Sequence, residues 1–311
     1  MRIVYFGTGE FAVAPLRAIA PHVIRVVTQP PRPQGRGHRL QVTAVHALAD
    51  TLGLPVETPE RVRVTAWIDS IAALEADLLV VASYGKILPA RLLTVARRGA
   101  WNLHGSLLPE YRGAAPIQRA IMDGRSETGV CLMQMDVGMD TGDVLDVVRT
   151  PIGPDETYGE LQARLSELAA GQLARAVESP DSLTAVAQDH AGATHAAKIT
   201  REDTELDVGR AARAEYNRFR GVTPNPGAGL PTSLGRVRVS AARWRPESGE
   251  PGTILSVAPL VVAFGEGALE LIEIQPEGKK RMSGRDWANG ARLAPGLRLS
   301  APGETHSQPT P

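Results

Sequence analysis

The chain has 311 residues, 43% of them apolar, with 34 basic side chains balancing 34 acidic ones. That length allows two domains with proper cores, and the neutral balance gives no whole-molecule argument for a polyanionic partner. A single cysteine, Cys131, excludes an internal disulfide framework, and no apolar run reaches the about 18 residues of a membrane span or forms a signal peptide, so a soluble cytoplasmic protein is expected.

Residues 2–6 read as a short apolar strand, residues 11–19 show helical spacing, and residues 23–28 form a second strand. Together they are a βα unit of a parallel sheet. Gly7, Gly9 and Ala12 satisfy the dinucleotide pattern G-x-G-x-x-A, but the acid expected about twenty residues on is missing. A tight βα turn accounts for the same glycines. Residues 29–40, QPPRPQGRGHRL, are expected as a basic loop carrying Arg32, Arg36, His38 and Arg39, either plainly solvated or ordering on a polyanion. Helices are expected over 43–52 and 64–74. The apolar run DLLVVAS over 77–83 has the character of a strand buried on both faces.

Residues 101–121, WNLHGSLLPEYRGAAPIQRAI, form the centre of the chain. They read as a strand end, a polar turn and a helix start, the place where open α/β sheets bind ligands. Strand alternation puts Asn102 and His104 on one face. Strands follow over 128–135 and 144–150, joined by the turn MDVGMDTGD with its three acids, whose spacing does not suit a calcium loop, and no metal is expected. A long helix over 157–176 and an exit strand over 183–188 close a first domain at residue 189.

Residues 190–206 read as a linker and residues 207–300 as a second domain, with a helix over 208–219 and short β-runs suggesting a small open barrel. Residues 301–311 are expected to be a disordered tail. Residues 1–189 hold 18 basic against 21 acidic side chains, and residues 207–300 hold 14 against 9. The basic excess of the second domain suits a phosphate backbone, or is an ordinary solvated face.

Asn102, His104 and Asp140 offer an amide, an imidazole and a carboxylate, but no nucleophile. Each also has an ordinary structural reading: a turn cap, a satisfied core histidine and an Asx-turn residue. Used together, the amide and a protonated imidazole can donate to a developing oxyanion, and the carboxylate can hold the imidazole charged or take a proton through water. Nucleophile and electrophile would then both come from substrates.

Asn102-Leu-His104, Ser106-Leu-Leu-Pro109, Arg112-Gly113-Ala-Ala-Pro-Ile117 and Met135-Asp-Val-Gly-Met-Asp140-Thr-Gly142-Asp143 occur in that order. With the C-terminal GALELIEIQPEGKKRM, this set resembles the formyltransferase superfamily that uses 10-formyltetrahydrofolate, in the branch acting on initiator methionyl-tRNA. The resemblance runs from residue 1 to about 300. It implies an α/β fold, with a Rossmann-like formyltransferase domain on a parallel-rich sheet followed by a small OB-like β-barrel that contacts tRNA. It implies Asn102, His104 and Asp140 as the catalytic trio. Val81, Tyr84, Gly85, Ile87, Leu88, Ser106, Leu107, Leu108, Pro109, Val137 and Gly138 would line the folate pocket. Arg32, Arg36, His38 and Arg39, with Lys279, Lys280 and Arg281, would meet tRNA. A monomer suffices. Asp207-Val208 and Pro224-Asn225-Pro226 depart from the acidic-aromatic and Pro-Trp-Pro patterns frequent in the family. The alternative is a folate-dependent transfer to a nucleotide or nucleotide-sugar amine.

Overall fold

A computed structural model describes residues 1–34 and 39–300. Arg36, His38 and the tail 301–311 lie outside the described residues. The chain divides into two compact units. The first comprises Met1–Pro116, Glu127–Pro151 and Leu161–Ala197, and the second comprises Ile117–Ser126, Ile152–Glu160 and the chain from Lys198 onward.

In the first unit β1 (Ile3–Gly7), α1 (Val13–Ile19) and β2 (Val23–Val27) form the opening βα unit. Where a loop is expected, β3 (Arg32–Gln34) and β4 (Arg39–Gln41) pair antiparallel. The two-stranded ribbon is short and edge-like on both sides, which is why Pro33 is tolerated in it and why its composition reads as loop. Next come α2 (Ala44–Thr51), β5 (Val56–Glu57), α3 (Thr65–Ala72), β6 (Leu78–Ala82), α4 (Ala90–Leu93), β7 (Ala100–His104) and β8 (Arg112–Gly113). After α5 (Pro116–Met122), most of which falls in the second unit, β9 (Glu127–Gln134), β10 (Val144–Pro151), α6 (Tyr158–Glu178) and β11 (His195–Ala196) complete it.

The main sheet has the order β10-β9-β7-β6-β1-β2-β5. Five strands from β7 to β5 run parallel, and β9 and β10 are antiparallel. All five residues of β1 and of β6 are buried, because helices cover both faces of a parallel sheet. Val4, Phe6, Val27, Leu79, Val81, Tyr84 and Leu92 share one core cluster. Each large side chain so buried contributes about 1.5–3 kcal/mol. Since β6 and β7 are parallel neighbours, with Ala82 opposite Leu103, the segments after them leave from the same edge of the sheet.

The expected exit strand over 183–188 is not formed. Val186 makes one antiparallel bridge to Val144, and Gln188 turns inward instead of continuing along the edge. The segment expected as linker contributes β11, which pairs with β8.

The second unit holds α7 (Ala212–Val222), β12 (Ala228–Leu230), β13 (Val237–Arg245), β14 (Ile254–Val257), β15 (Leu260–Ala263), β16 (Ala268–Pro276), β17 (Met282–Ser283) and α8 (Gly284–Gly290). The sheet order is β12-β13-β16-β15-β14, with β17 on β16, and every pairing is antiparallel. Among the described residues no pairing joins β12 to β14, so the sheet is open. Ala212, Tyr216, Phe219 and Val222 give α7 an apolar stripe at helical spacing, and all four join the core of this unit. The helix starts later than the expected residue 208 because Asp207 accepts from the Gly209 N–H at 2.8 Å, an Asx-turn, while Val208 enters the core. No helix among the described residues is long and apolar enough to cross a membrane.

Candidate active site

The strand β7 brings Asn102 and His104 to one face, as alternation requires. Asn102 is half-buried beside Val81 of β6 and Met133 of β9, and His104 is 5% exposed. The chain then folds back on the imidazole. His104 Nε2 lies 2.9 Å from the Tyr111 carbonyl oxygen. A carbonyl only accepts, so Nε2 carries hydrogen and Nδ1 is the nitrogen left for other partners. The fold-back is held by Ser106 Oγ, which donates to Glu110 O at 2.7 Å, and by the Leu108 N–H, which donates to Cys131 Sγ at 3.3 Å. Burial pushes the Cys131 thiol up to about 11, so it stays protonated and serves as a buried acceptor rather than a nucleophile.

Asp140 reaches the same place from the loop between β9 and β10. Its Oδ2 accepts from the Gly113 N–H at 2.8 Å and stands 3.7 Å from His104 Nδ1. That is longer than a hydrogen bond and leaves Nδ1 uncommitted, an acceptor in the neutral ring and a donor to a substrate oxygen once the ring carries its second proton. Gly113 has φ +123, and a Cβ there would meet Ala196 O at 2.8 Å, so only glycine lets the backbone N–H face the carboxylate. Of the loop's acids, Asp136 is spent on its own turn. It accepts from the Gly138 N–H at 3.0 Å and from Thr141 Oγ1 at 2.7 Å.

The structure therefore brings His104 and Asp140 together, with Asn102 on the same face of β7 and Ser106, Leu107, Leu108 and Pro109 following in the fold-back. Val81, Tyr84 and Leu88 lie in the core cluster beneath the end of β6. The Tyr84 hydroxyl is buried with no hydrogen-bond partner among the described residues, and burial raises it to about 12. Gly85 has φ +75, and Ile87 is 66% exposed. Val137 is 81% exposed, beside Gly138 in the Asp140 loop. Arg32 is exposed and donates to Gln29 Oε1 at 2.6 Å, and the Arg39 backbone belongs to β4. Lys279, Lys280 and Arg281 are exposed between β16 and β17, where Arg281 faces Glu273 at 3.3 Å. Among the described residues no group of three His, Cys, Asp or Glu side chains could hold a metal ion.

Sequence reasoning missed Gln188, whose Nε2 donates to the carbonyls of Asp140 at 2.9 Å and Gly142 at 2.6 Å. It missed Thr194 too, whose Oγ1 accepts from the Tyr111 N–H at 2.8 Å. Gln188 ends the run expected as an exit strand and Thr194 lies in the expected linker, and bonds to backbone atoms leave no residue pattern to read.

Chemically, the arrangement offers an amide donor, an imidazole with one nitrogen committed and one open, and a carboxylate beside the open nitrogen. That set can stabilise negative charge on an oxygen and move a proton.

Comparison with known proteins agrees across both units. Residues 1–177 match the family model described as formyl transferase, and residues 198–292 match that of the formyl transferase C-terminal domain. A methionyl-tRNA formyltransferase of Symbiobacterium thermophilum is 42% identical over an alignment covering 100% of this chain and 99% of that protein. A methionyl-tRNA formyltransferase of Jannaschia sp. is 43% identical, covering 96% of this chain and 100% of that one. The crystal structure of an N-formyltransferase from Helicobacter canadensis, in complex with folinic acid and dTDP-3-aminofucose, superposes with a TM-score of 0.63 at 15% identity over 86% of this chain and 98% of that one. At that identity the likeness is one of fold.

Proposed function

The chain belongs to the formyl transferase family, and from that premise we propose that it transfers the formyl group of 10-formyltetrahydrofolate to the α-amino group of methionine on initiator methionyl-tRNA. The observation that carries this reading is the 42% identity to a methionyl-tRNA formyltransferase over the whole chain, second unit included. Transfer to a small nucleotide-sugar amine gives the basic stretch 207–300 no evident task, and the structural neighbour carrying such a sugar shares only 15% identity.

In this reading the methionyl amine attacks the formyl carbon directly, forming the new C–N bond and placing negative charge on the formyl oxygen. The Asn102 amide and His104 Nδ1–H donate to that oxygen. Asp140, 3.7 Å from Nδ1, is placed to pair with the imidazolium this donation requires and helps carry the amine proton to the nitrogen that leaves as the old C–N bond breaks. No covalent enzyme intermediate is needed. Around the folate, Val81, Gly85, Ile87, Leu88 and residues 106–109 would supply apolar and backbone surface, with Val137 and Gly138 opposite. The unpartnered Tyr84 hydroxyl is a polar group fit for a heterocycle's edge. Arg32, Arg36, His38, Arg39, Lys279, Lys280 and Arg281 would neutralise tRNA phosphates. The enzyme would work in the cytoplasm, as a monomer.

A labelled formyl-transfer assay with 10-formyltetrahydrofolate, comparing charged initiator and elongator methionyl-tRNA, tests the reading. Label on the initiator alone is expected. Label on neither, with folate still bound, would shift the acceptor to a small molecule.

A further inference from the structure

One segment grips both members of the His104–Asp140 pair. Gln188 is 8% exposed and its amide is fully used. Its Nε2 donates to the carbonyl oxygens of Asp140 and Gly142, at 2.9 Å and 2.6 Å. Its Oε1 accepts from Arg112 Nε and Nη2, at 3.2 Å and 2.7 Å. The fork of Arg112 fixes which way the amide faces, since a guanidinium only donates. Six residues on, Thr194 Oγ1 accepts from the Tyr111 N–H, and the Tyr111 carbonyl is the acceptor for His104 Nε2. One end of the segment thus sets the carboxylate, and the other sets the imidazole.

The backbone that Gln188 clamps is one that needs clamping. Asp140 adopts φ +54, a left-handed conformation a non-glycine residue holds only when its surroundings impose it. Gly142, the second carbonyl Gln188 engages, passes so close to β9 that a Cβ would sit 1.9 Å from Gln134 O. The loop is therefore fastened at Gly142 and Asp140 by the same side chain, and Asp140 Oδ2 is left to the Gly113 N–H and to His104. Gln188 and Thr194 both fall between the stretches matched by the two family models, which end at 177 and resume at 198.

We propose that Gln188 is a positioning residue for formyl transfer: it fixes the 140–142 backbone so that the Asp140 carboxylate stands at His104 Nδ1, with Thr194 as its counterpart on the imidazole side. This rests on the reading of His104 and Asp140 as the working pair.

The test is a double-mutant cycle of Gln188→Met with Asp140→Asn in the full-length protein, reading kcat, the KM of each substrate and the thermal midpoint. Methionine keeps the length and volume of glutamine and removes both donors. Gln188→Met alone should lower kcat by about ten- to a hundredfold, the usual consequence of a misplaced reacting group. KM should move far less. Once Asp140→Asn has removed the carboxylate, adding Gln188→Met should change kcat by less than about twofold, since nothing is left to aim. Losses that multiply in the double variant would overturn the proposal, as would an Asp140→Asn enzyme that is slow beside a Gln188→Met enzyme that is fast. If Asp140→Asn kept the parent kcat, the underlying pair would fall and the proposal with it. Should Gln188→Met not fold, Thr194→Val against His104→Ala runs the same cycle with the same criteria.

Discussion

Both units bury polar side chains, and the two groups are built to different ends. In the first, His104 and Asp140 meet at 3.7 Å, with the carboxylate accepting one backbone N–H and the imidazole leaving Nδ1 open. In the second, Glu215 and Arg220 are 1% and 4% exposed and face inward along α7. Arg220 donates to Gly153 O, Glu156 O and Asn217 Oδ1, and the Asp207 N–H donates to Glu215 Oε2 at 3.0 Å. Burial pushes the Glu215 carboxyl up and the Arg220 guanidinium down. A displaced pKa is a common marker of function, yet here it marks side chains tying a helix to neighbouring loops. What distinguishes the first group is a ring nitrogen with no hydrogen bond of its own, held beside a carboxylate at the end of β7. Buried charge tied to loops marks one unit, and geometry around an uncommitted ring nitrogen marks the other.

The comparison breaks most readily at His104. His104→Ala should cut kcat by about 10²–10³, the cost of losing one oxyanion donor, with a modest change in melting. Turnover above about a tenth of the parent would remove the imidazole from the chemistry. Arg220→Met should do the reverse. It strands partly buried acceptors in the second unit and should cost about 1–3 kcal/mol in urea denaturation, with kcat per folded molecule retained. A fall in kcat without a fall in stability would erase the contrast drawn between the two groups.

The smallest effects lie in acid, and two carboxylates of the second unit should move in opposite directions. Burial pushes Asp203 up, but the donors of Arg119 and Thr200 outweigh it and hold its carboxyl below the ordinary 3.8. Its stabilisation is therefore complete above pH 3.8 and is lost as pH falls through its lower folded value. Glu215, raised above 4.5, should instead weigh against the fold as pH climbs past 4.5 and the buried carboxyl ionises. Melting curves from pH 3 to pH 7, set against Asp203→Asn and Glu215→Gln, would show both trends. A pH profile that neither substitution alters would discard the assignment.

Much of this was legible from the sequence because it rests on periodicity. The all-apolar β6 and the alternating β7 followed from side-chain pattern, and so did the face shared by Asn102 and His104. The second sheet's longer strands were legible for the same reason. Apart from β5, elements of two or three residues were not, because strands such as β8, β11, β12 and β17 are too short to show a period of two. The helix α8, GRDWANG, hides behind a glycine at each end, and its start is set by Ser283 Oγ accepting from the Asp286 N–H at 3.0 Å. Within the site the side chains that carry charge were visible, whereas their supports were not. Tyr111 contributes a carbonyl, Gly113 an N–H and Gln188 two bonds to backbone oxygens, and none of these depends on a motif.

The pairing of β11 with β8 joins His195–Ala196 to Arg112–Gly113. On the ribosome this fixes an order of events: β7 with His104 and the β9–β10 loop with Asp140 emerge first, while the residues that steady them are made last in the unit. A nascent chain can hold most of its first sheet and still lack the Thr194 hydroxyl behind Tyr111 and the Gln188 amide behind Asp140.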